Sequence, residues 1–180
     1  ILCQIPQFMV WQDSNSDITE SQASCIVSAA NCVGVMGGGV AKAIRDKFPW
    51  CYEPYKIACE QGVVKPGGIF VVRLDVFPKM KYPRIIHLST KNHWKGQSKL
   101  EWVDSGCQEL RKYIESNQVE SVAIPRLGCG LGGLTWDDVR PIMERNLADT
   151  NCNIFRGTKR RVLLIATSLF LRTTQFNKRS

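Results

Sequence analysis

The sequence predicts a three-layer α/β/α domain built on a mixed central sheet. Short, β-branched apolar runs alternate along the chain with segments of helical periodicity, the pattern of a sheet covered by helices on both faces. Two neighbouring runs, 68–74 and 83–89, have no helix between them, so the sheet is not fully parallel. The 180 residues suffice for one domain with its own core, and one domain is expected over 1–180, with a basic tail from about residue 169.

The strand candidates are 5–11 (IPQFMVW), 24–30 (SCIVSAA), 68–74 (GIFVVRL), 83–89 (PRIIHLS), 119–125 (VESVAIP) and 161–168 (RVLLIATS). Helices are expected over 39–48, about 50–61, 98–116 and about 136–148. The third is the clearest. Leu100, Val103, Cys107, Leu110 and Ile114 form one apolar stripe, and Ser98 with Glu101 reads as a capping box. In the last, Pro141 sets a choice. Either Thr135–Asp138 forms the first turn, or the regular helix begins at Pro141.

The first residue is Ile, so a leader could have been removed; ILCQIPQFMVW lacks a basic n-region and reads as a first strand, not a signal peptide. No apolar run approaches the ~18 residues of a membrane helix, and no membrane partner is expected. Lysine and arginine number 24 against 16 acids, a net charge of +8, which favours polyanionic partners such as nucleic acid or nucleotides. The eight cysteines contain no C-x-x-C pair, and the histidines are His87 and His93. Neither a zinc site nor any other cofactor is implied, and the cysteines read as buried apolar residues of an intracellular, reducing compartment, cytoplasm or nucleus.

Two glycine loops carry the functional signal. NCVGVMGGGVAKAI (31–44) follows the strand SCIVSAA and opens a helix. RLGCGLGGL (126–134) follows SVAIP and leads into WDDVRPIMERNL. Each loop sits at the carboxyl end of a strand and at a helix N-terminus, where free N–H groups and the helix dipole attract anions. Two such loops on one sheet edge suit a diphosphate. Neither is a P-loop or a G-x-G-x-x-G fingerprint.

These motifs resemble the macrodomain family, which binds ADP-ribose. SDIT (16–19) is similar to the family's G-D-[IL], with Ser16 for Gly; IVSAAN is similar to I-V-N-A-A-N; GGGVAKAI and IPRLGCGLGGL are similar to the two loops. The resemblance runs from about residue 15 to 148. It implies that Asp17 accepts from the adenine amino group with Ile18 beside it, and that Asn31 positions the distal ribose. It further implies that Gly37, Gly38, Gly39 and Val40, with Leu127, Gly128, Cys129, Gly130, Leu131 and Gly132, hold the nucleotide.

STKNHWKGQSKLEW (89–102) narrows the resemblance to the DarG-type branch, which removes ADP-ribose from DNA bases, and to the related terminal ADP-ribose protein glycohydrolases. Both carry a functional lysine after threonine, here Lys91 after Thr90. The protein-directed branch also uses an Asp after Gly-Cys-Gly-Leu, where this chain has Gly132, so the DNA branch is favoured.

What the resemblance implies is an ADP-ribosyl glycohydrolase that reverses ADP-ribosylation of single-stranded DNA, a repair or antitoxin-like activity. The partners implied are ADP-ribose, ADP-ribosylated DNA and a DarT-like ADP-ribosyltransferase toxin. Three alternatives share the fold: a non-catalytic ADP-ribose reader, a protein-directed hydrolase and an ADP-ribose 1″-phosphate phosphatase. Lys91, desolvated, would attack ribosyl C1″ or the aldehyde of its opened form, or would polarise the departing base. In KNHWKGQSK, Lys95 and Lys99 are set to neutralise phosphates and Trp94 to stack on an exposed base. No carboxylate pair of the glycosidase kind is apparent, and His93 reads as a surface or packing residue.

Overall fold

A computed structural model describes residues 17–74, 82–150 and 152–157. The expected strands 5–11 and 161–168 and the basic tail lie outside these residues. Within the described residues five strands form one sheet: β1 (Cys25–Ala30), β2 (Ile69–Val72), β3 (Arg84–Ser89), β4 (Ser121–Pro125) and β5 (Asn153–Gly157), in the order β2-β3-β1-β4-β5. β2 pairs antiparallel to β3, and the other pairings are parallel. The runs 68–74 and 83–89, for which the sequence predicts no intervening helix, pair antiparallel as β2 and β3, as expected where no crossover connection joins successive strands.

Among the described residues four α-helices cover the sheet: α1 (Gly39–Lys47), α2 (Tyr52–Glu60), α3 (Leu100–Ser116) and α4 (Trp136–Leu147). Alternation along the strands sorts the core into two halves. Ile26 and Ala30 of β1 and Ile85 of β3 pack with Ile44 of α1 and Tyr55 of α2. Cys25, Val27, Ile86 and Leu88 point the other way, onto Val103, Cys107 and Leu110 of α3 and Val139 and Met143 of α4. Each fully buried Leu, Ile or Val contributes about 1.5–3 kcal/mol by leaving water, so both layers are needed. The α3 stripe is buried as its periodicity requires, apart from Leu100, which is half-buried.

Two sequence readings change. The residue that caps α3 is Lys99, not Ser98, and no side chain caps that terminus. The Ser98 hydroxyl instead donates to Thr90 Oγ1 at 3.1 Å, because a tertiary partner outcompetes the local one. β5 has no counterpart among the sequence runs. NIFRG is too short to stand out by apolarity, and its parallel ladder with β4 makes it a strand. The choice at Pro141 is settled in favour of the longer helix. Thr135 Oγ1 accepts from the Asp138 N–H at 3.2 Å, and Pro141 lies inside α4. Its missing N–H leaves only the carbonyl of Asp137, an exposed first-turn residue, for water to satisfy.

Candidate functional site

The carboxyl ends of β3, β1 and β4 lie side by side, and the three segments that leave them enclose a cavity of about 880 Å³. The segment after β1 contributes Asn31, Val35 and Gly37–Gly39, with Val40 and Ala41 of α1. Thr90, Lys91, Trp94 and Ser98 come from the segment after β3. The loop after β4 supplies Arg126, Gly128–Gly132 and Leu134, with Trp136 at the start of α4. The two glycine loops therefore face one cavity. α1 opens at Gly38 with no side chain capping its first turn, so its N–H groups are left for a ligand.

Asn31 shapes the first loop. Its Oδ1 accepts from the N–H groups of Val33 (3.0 Å) and Val35 (3.2 Å), and Nδ2 donates to the Val35 carbonyl at 2.7 Å. The second Nδ2–H has no partner among the described residues. The buried Tyr55 hydroxyl fixes the same residue from below, donating to the Asn31 carbonyl at 2.6 Å and accepting from its N–H at 3.2 Å.

Lys91 bridges two loops. Its Nζ donates to the Leu131 carbonyl and, at 3.5 Å, to that of Trp94. Partial burial pushes its pKa below the ordinary lysine value. The backbone beside it is sewn to β1 and the first loop, with the Thr90 N–H donating to Ala30 O at 3.1 Å and the Cys32 N–H to Asn92 O at 3.0 Å.

Ser98 ties this segment to the second loop through its N–H, which donates to the Gly132 carbonyl at 3.0 Å. Space above Ser98 is filled. A Cβ on Gly132 would lie 2.8 Å from the Gly128 carbonyl carbon and against the Ser98 hydroxyl, and Gly128 itself has φ +71°. Across the cavity, Leu131 Cδ1 lies 2.8 Å from where a Cβ on Gly38 would stand, so the loops approach closely there.

The charge on the wall is one-sided. Lys91 and Arg126 line it, and no carboxylate among the described residues does. Burial pushes the Cys129 thiol up to about 11, so it is not a thiolate near neutral pH. Trp94 is 47% exposed, with Lys95 Nζ 5.0 Å from its ring centroid and the His93 ring stacked at 5.7 Å. His93 Nδ1 accepts from the Lys95 N–H at 3.2 Å, a turn-shaping role.

Of the residues expected from sequence, Asn31, Gly37–Val40, Lys91, Trp94 and Gly128–Gly132 lie on the cavity wall. Leu127 and Ile18 do not; both are buried in the core. Asp17 lies off the wall too, where its Oδ1 accepts from the N–H and hydroxyl of Thr19, both at 2.9 Å. Lys95 and Lys99 are exposed outside it, with Lys99 Nζ over the Trp102 ring. Sequence reasoning missed Ser98, Arg126 and Trp136 as wall residues. The last two flank the second glycine loop, which is the signal that could have found them.

The family model described as "Macro domain" matches residues 27–143. The DNA ADP-ribosyl glycohydrolase of Mycobacterium tuberculosis is 38% identical over 125 residues, covering 69% of this chain and 35% of that protein. The solved macrodomain of Thermus aquaticus DarG superposes with a TM-score of 0.72 at 34% identity, covering 81% of this chain and 94% of that one. Thermosipho africanus DarTG in complex with ADP-ribose superposes with a TM-score of 0.72 at 28% identity, covering 79% and 39%. The chain spans about a third of the length of the curated relatives it matches first.

Proposed function

We propose that this chain, which belongs to the macro domain family, is an ADP-ribosyl glycohydrolase that removes ADP-ribose from nucleobases of single-stranded DNA. The observation that carries the reading is the wall itself. Two facing glycine loops and an uncapped helix start, with no carboxylate among the described wall residues to repel an anion, suit a diphosphate. The relatives named DNA ADP-ribosyl glycohydrolase support the choice of substrate.

In this reading the diphosphate lies between the loops, and the distal ribose meets Asn31 and Lys91. The bond between ribosyl C1″ and the base nitrogen breaks. Water supplies the hydroxyl that ends on C1″, and the base leaves with a proton. Lys91 either attacks the sugar as the neutral amine or polarises the departing base as the ammonium ion. Asp17 accepts from the adenine amino group through Oδ2, the oxygen that Thr19 does not engage. Trp94 stacks on a base of the strand, and Lys95 and Lys99 neutralise its phosphates. A DarT-like transferase is the partner that would supply the substrate.

The site departs from the protein-directed pattern at Gly132, where packing against Ser98 and Gly128 leaves no room for an acid. The test sets an ADP-ribosylated single-stranded oligonucleotide beside an ADP-ribosylated protein and measures released ADP-ribose. Release from DNA alone is expected. Release from protein alone would overturn the substrate assignment, and binding of ADP-ribose without release from either would make the domain a reader.

A further inference from the structure

The wall carries a second cation besides Lys91. β4 and β3 flank β1 on opposite sides, so Arg126, directly after β4, and Lys91, two residues after β3, reach the one cavity from opposite sides of β1. The Arg126 guanidinium carbon lies 5.1 Å from the centroid of the Trp136 ring, and Trp136 borders the cavity as well. No carboxylate among the described residues forms an ion pair with Arg126. Its backbone is fixed by a turn in which the Cys129 N–H donates to the Arg126 carbonyl at 3.2 Å. A guanidinium braced on an indole is restrained before any ligand arrives, yet keeps N–H donors and a planar face to offer.

What it meets follows from the length of the ligand, and here the argument rests on the function proposed above. A diphosphate between the glycine loops carries one sugar on each side. With the reacting ribose on the Lys91 side, the nucleoside half falls on the Arg126 side. We propose that Arg126, braced by Trp136, is a specificity-determining residue for the nucleoside half of the ligand. Its N–H groups donate to ribose oxygens or ring nitrogens, and its face covers the planar base. Being remote from the bond that breaks, it acts on ground state and transition state alike, and so on KM more than kcat.

The test compares three ligands by calorimetry on Arg126→Ala, Arg126→Lys and Trp136→Leu. ADP-ribose and ADP carry the nucleoside, whereas ribose 5-diphosphate lacks it. Arg126→Ala is expected to weaken ADP-ribose and ADP together, by about ten- to a hundredfold for lost charge-assisted hydrogen bonds, and to leave ribose 5-diphosphate within about twofold. On ADP-ribosylated oligonucleotide, KM should rise with kcat nearly constant. Arg126→Lys should not restore affinity, because an ammonium has neither plane nor fork, and Trp136→Leu should reproduce part of the loss. If Arg126→Ala does not fold, Arg126→Gln keeps the bulk and is held to the same outcome. Unchanged ADP binding overturns the proposal, as does an equal loss for ribose 5-diphosphate, which would make Arg126 a phosphate contact. Failure of the unsubstituted protein to bind ADP-ribose would sink the function itself, a result distinct from either.

Discussion

Ser98 and Gly132 are held together so tightly that position 132 has no room for a side chain. The Ser98 N–H donates to the Gly132 carbonyl at 3.0 Å, and its hydroxyl occupies part of the space a Cβ would need. The Gly128 carbonyl fills the rest. Gly132 thus closes the Lys91 end of the second loop.

Gly132→Asp should therefore destabilise the domain by about 1–3 kcal/mol, the usual cost of forcing atoms into a packed site. Thermal melting measures it. Adding Ser98→Gly should recover only part of the loss, since the Gly128 carbonyl is backbone and stays in place. A Gly132→Asp protein that melts like the parent would show that the loop yields freely.

Gly38→Glu should behave in the opposite way. Gly38 has φ −156°, which any residue adopts, and its new Cβ would meet only the tip of the exposed Leu131 side chain. The fold should survive with little change in melting temperature. ADP-ribose binding should vanish, because a carboxylate would sit where the diphosphate is expected. Retained affinity in this folded variant would move the diphosphate elsewhere.

How much of this was legible in the sequence depends on how local each signal is. Lys91, Asn31 and the glycines of both loops are readable because the strand that precedes each and the turn that follows are continuous in sequence. Ser98 was misread as a cap for the same reason. Its local context points to the helix start, whereas its partners, Gly128 and Gly132, lie about thirty residues away and meet it only in the folded chain. Arg126 gains its meaning from Trp136 beyond the loop and from a cavity that no periodicity encodes. β5 shows the limit for secondary structure, since its pairing with β4, not its composition, makes it a strand.

His87 predicts acid sensitivity. It is buried, its ring stacks on Tyr55 at 4.2 Å, and neither nitrogen has a hydrogen-bond partner among the described residues. Burial pushes its pKa down to about 3, against a smaller opposing effect of the Cys51 carbonyl. An unfolded chain binds this proton near pH 6.5 and the folded one does not until about pH 3, so stability declines as pH falls through that window. The slope from this one group approaches about 1.4 kcal/mol per pH unit. His87→Phe should keep the stack with Tyr55 and flatten the slope in denaturant titrations at pH 4 to 7. An unchanged slope would assign the acid sensitivity to other groups.

Lys91 carries the catalytic reading, and its two conceivable roles have opposite pH signatures. Lys91→Ala should cost at least about a hundredfold in hydrolysis of ADP-ribosylated DNA, the scale of a lost nucleophile or proton-transfer group. ADP-ribose binding should stay within roughly tenfold, because backbone N–H groups hold the nucleotide while Lys91 acts on the bond being broken. Attack at C1″ needs the neutral amine. Partial burial lowers the pKa of Lys91, so the neutral form grows in at lower pH than for a free lysine. We expect kcat to climb as pH rises toward that lowered value and to level off above it, with borohydride trapping an adduct that Lys91→Ala does not form. A kcat that instead falls over the same range would identify the ammonium ion as the active form, polarising the departing base without a covalent bond. Equal losses of binding and turnover in Lys91→Ala would make the residue an anion clamp, and full turnover would remove it from the chemistry.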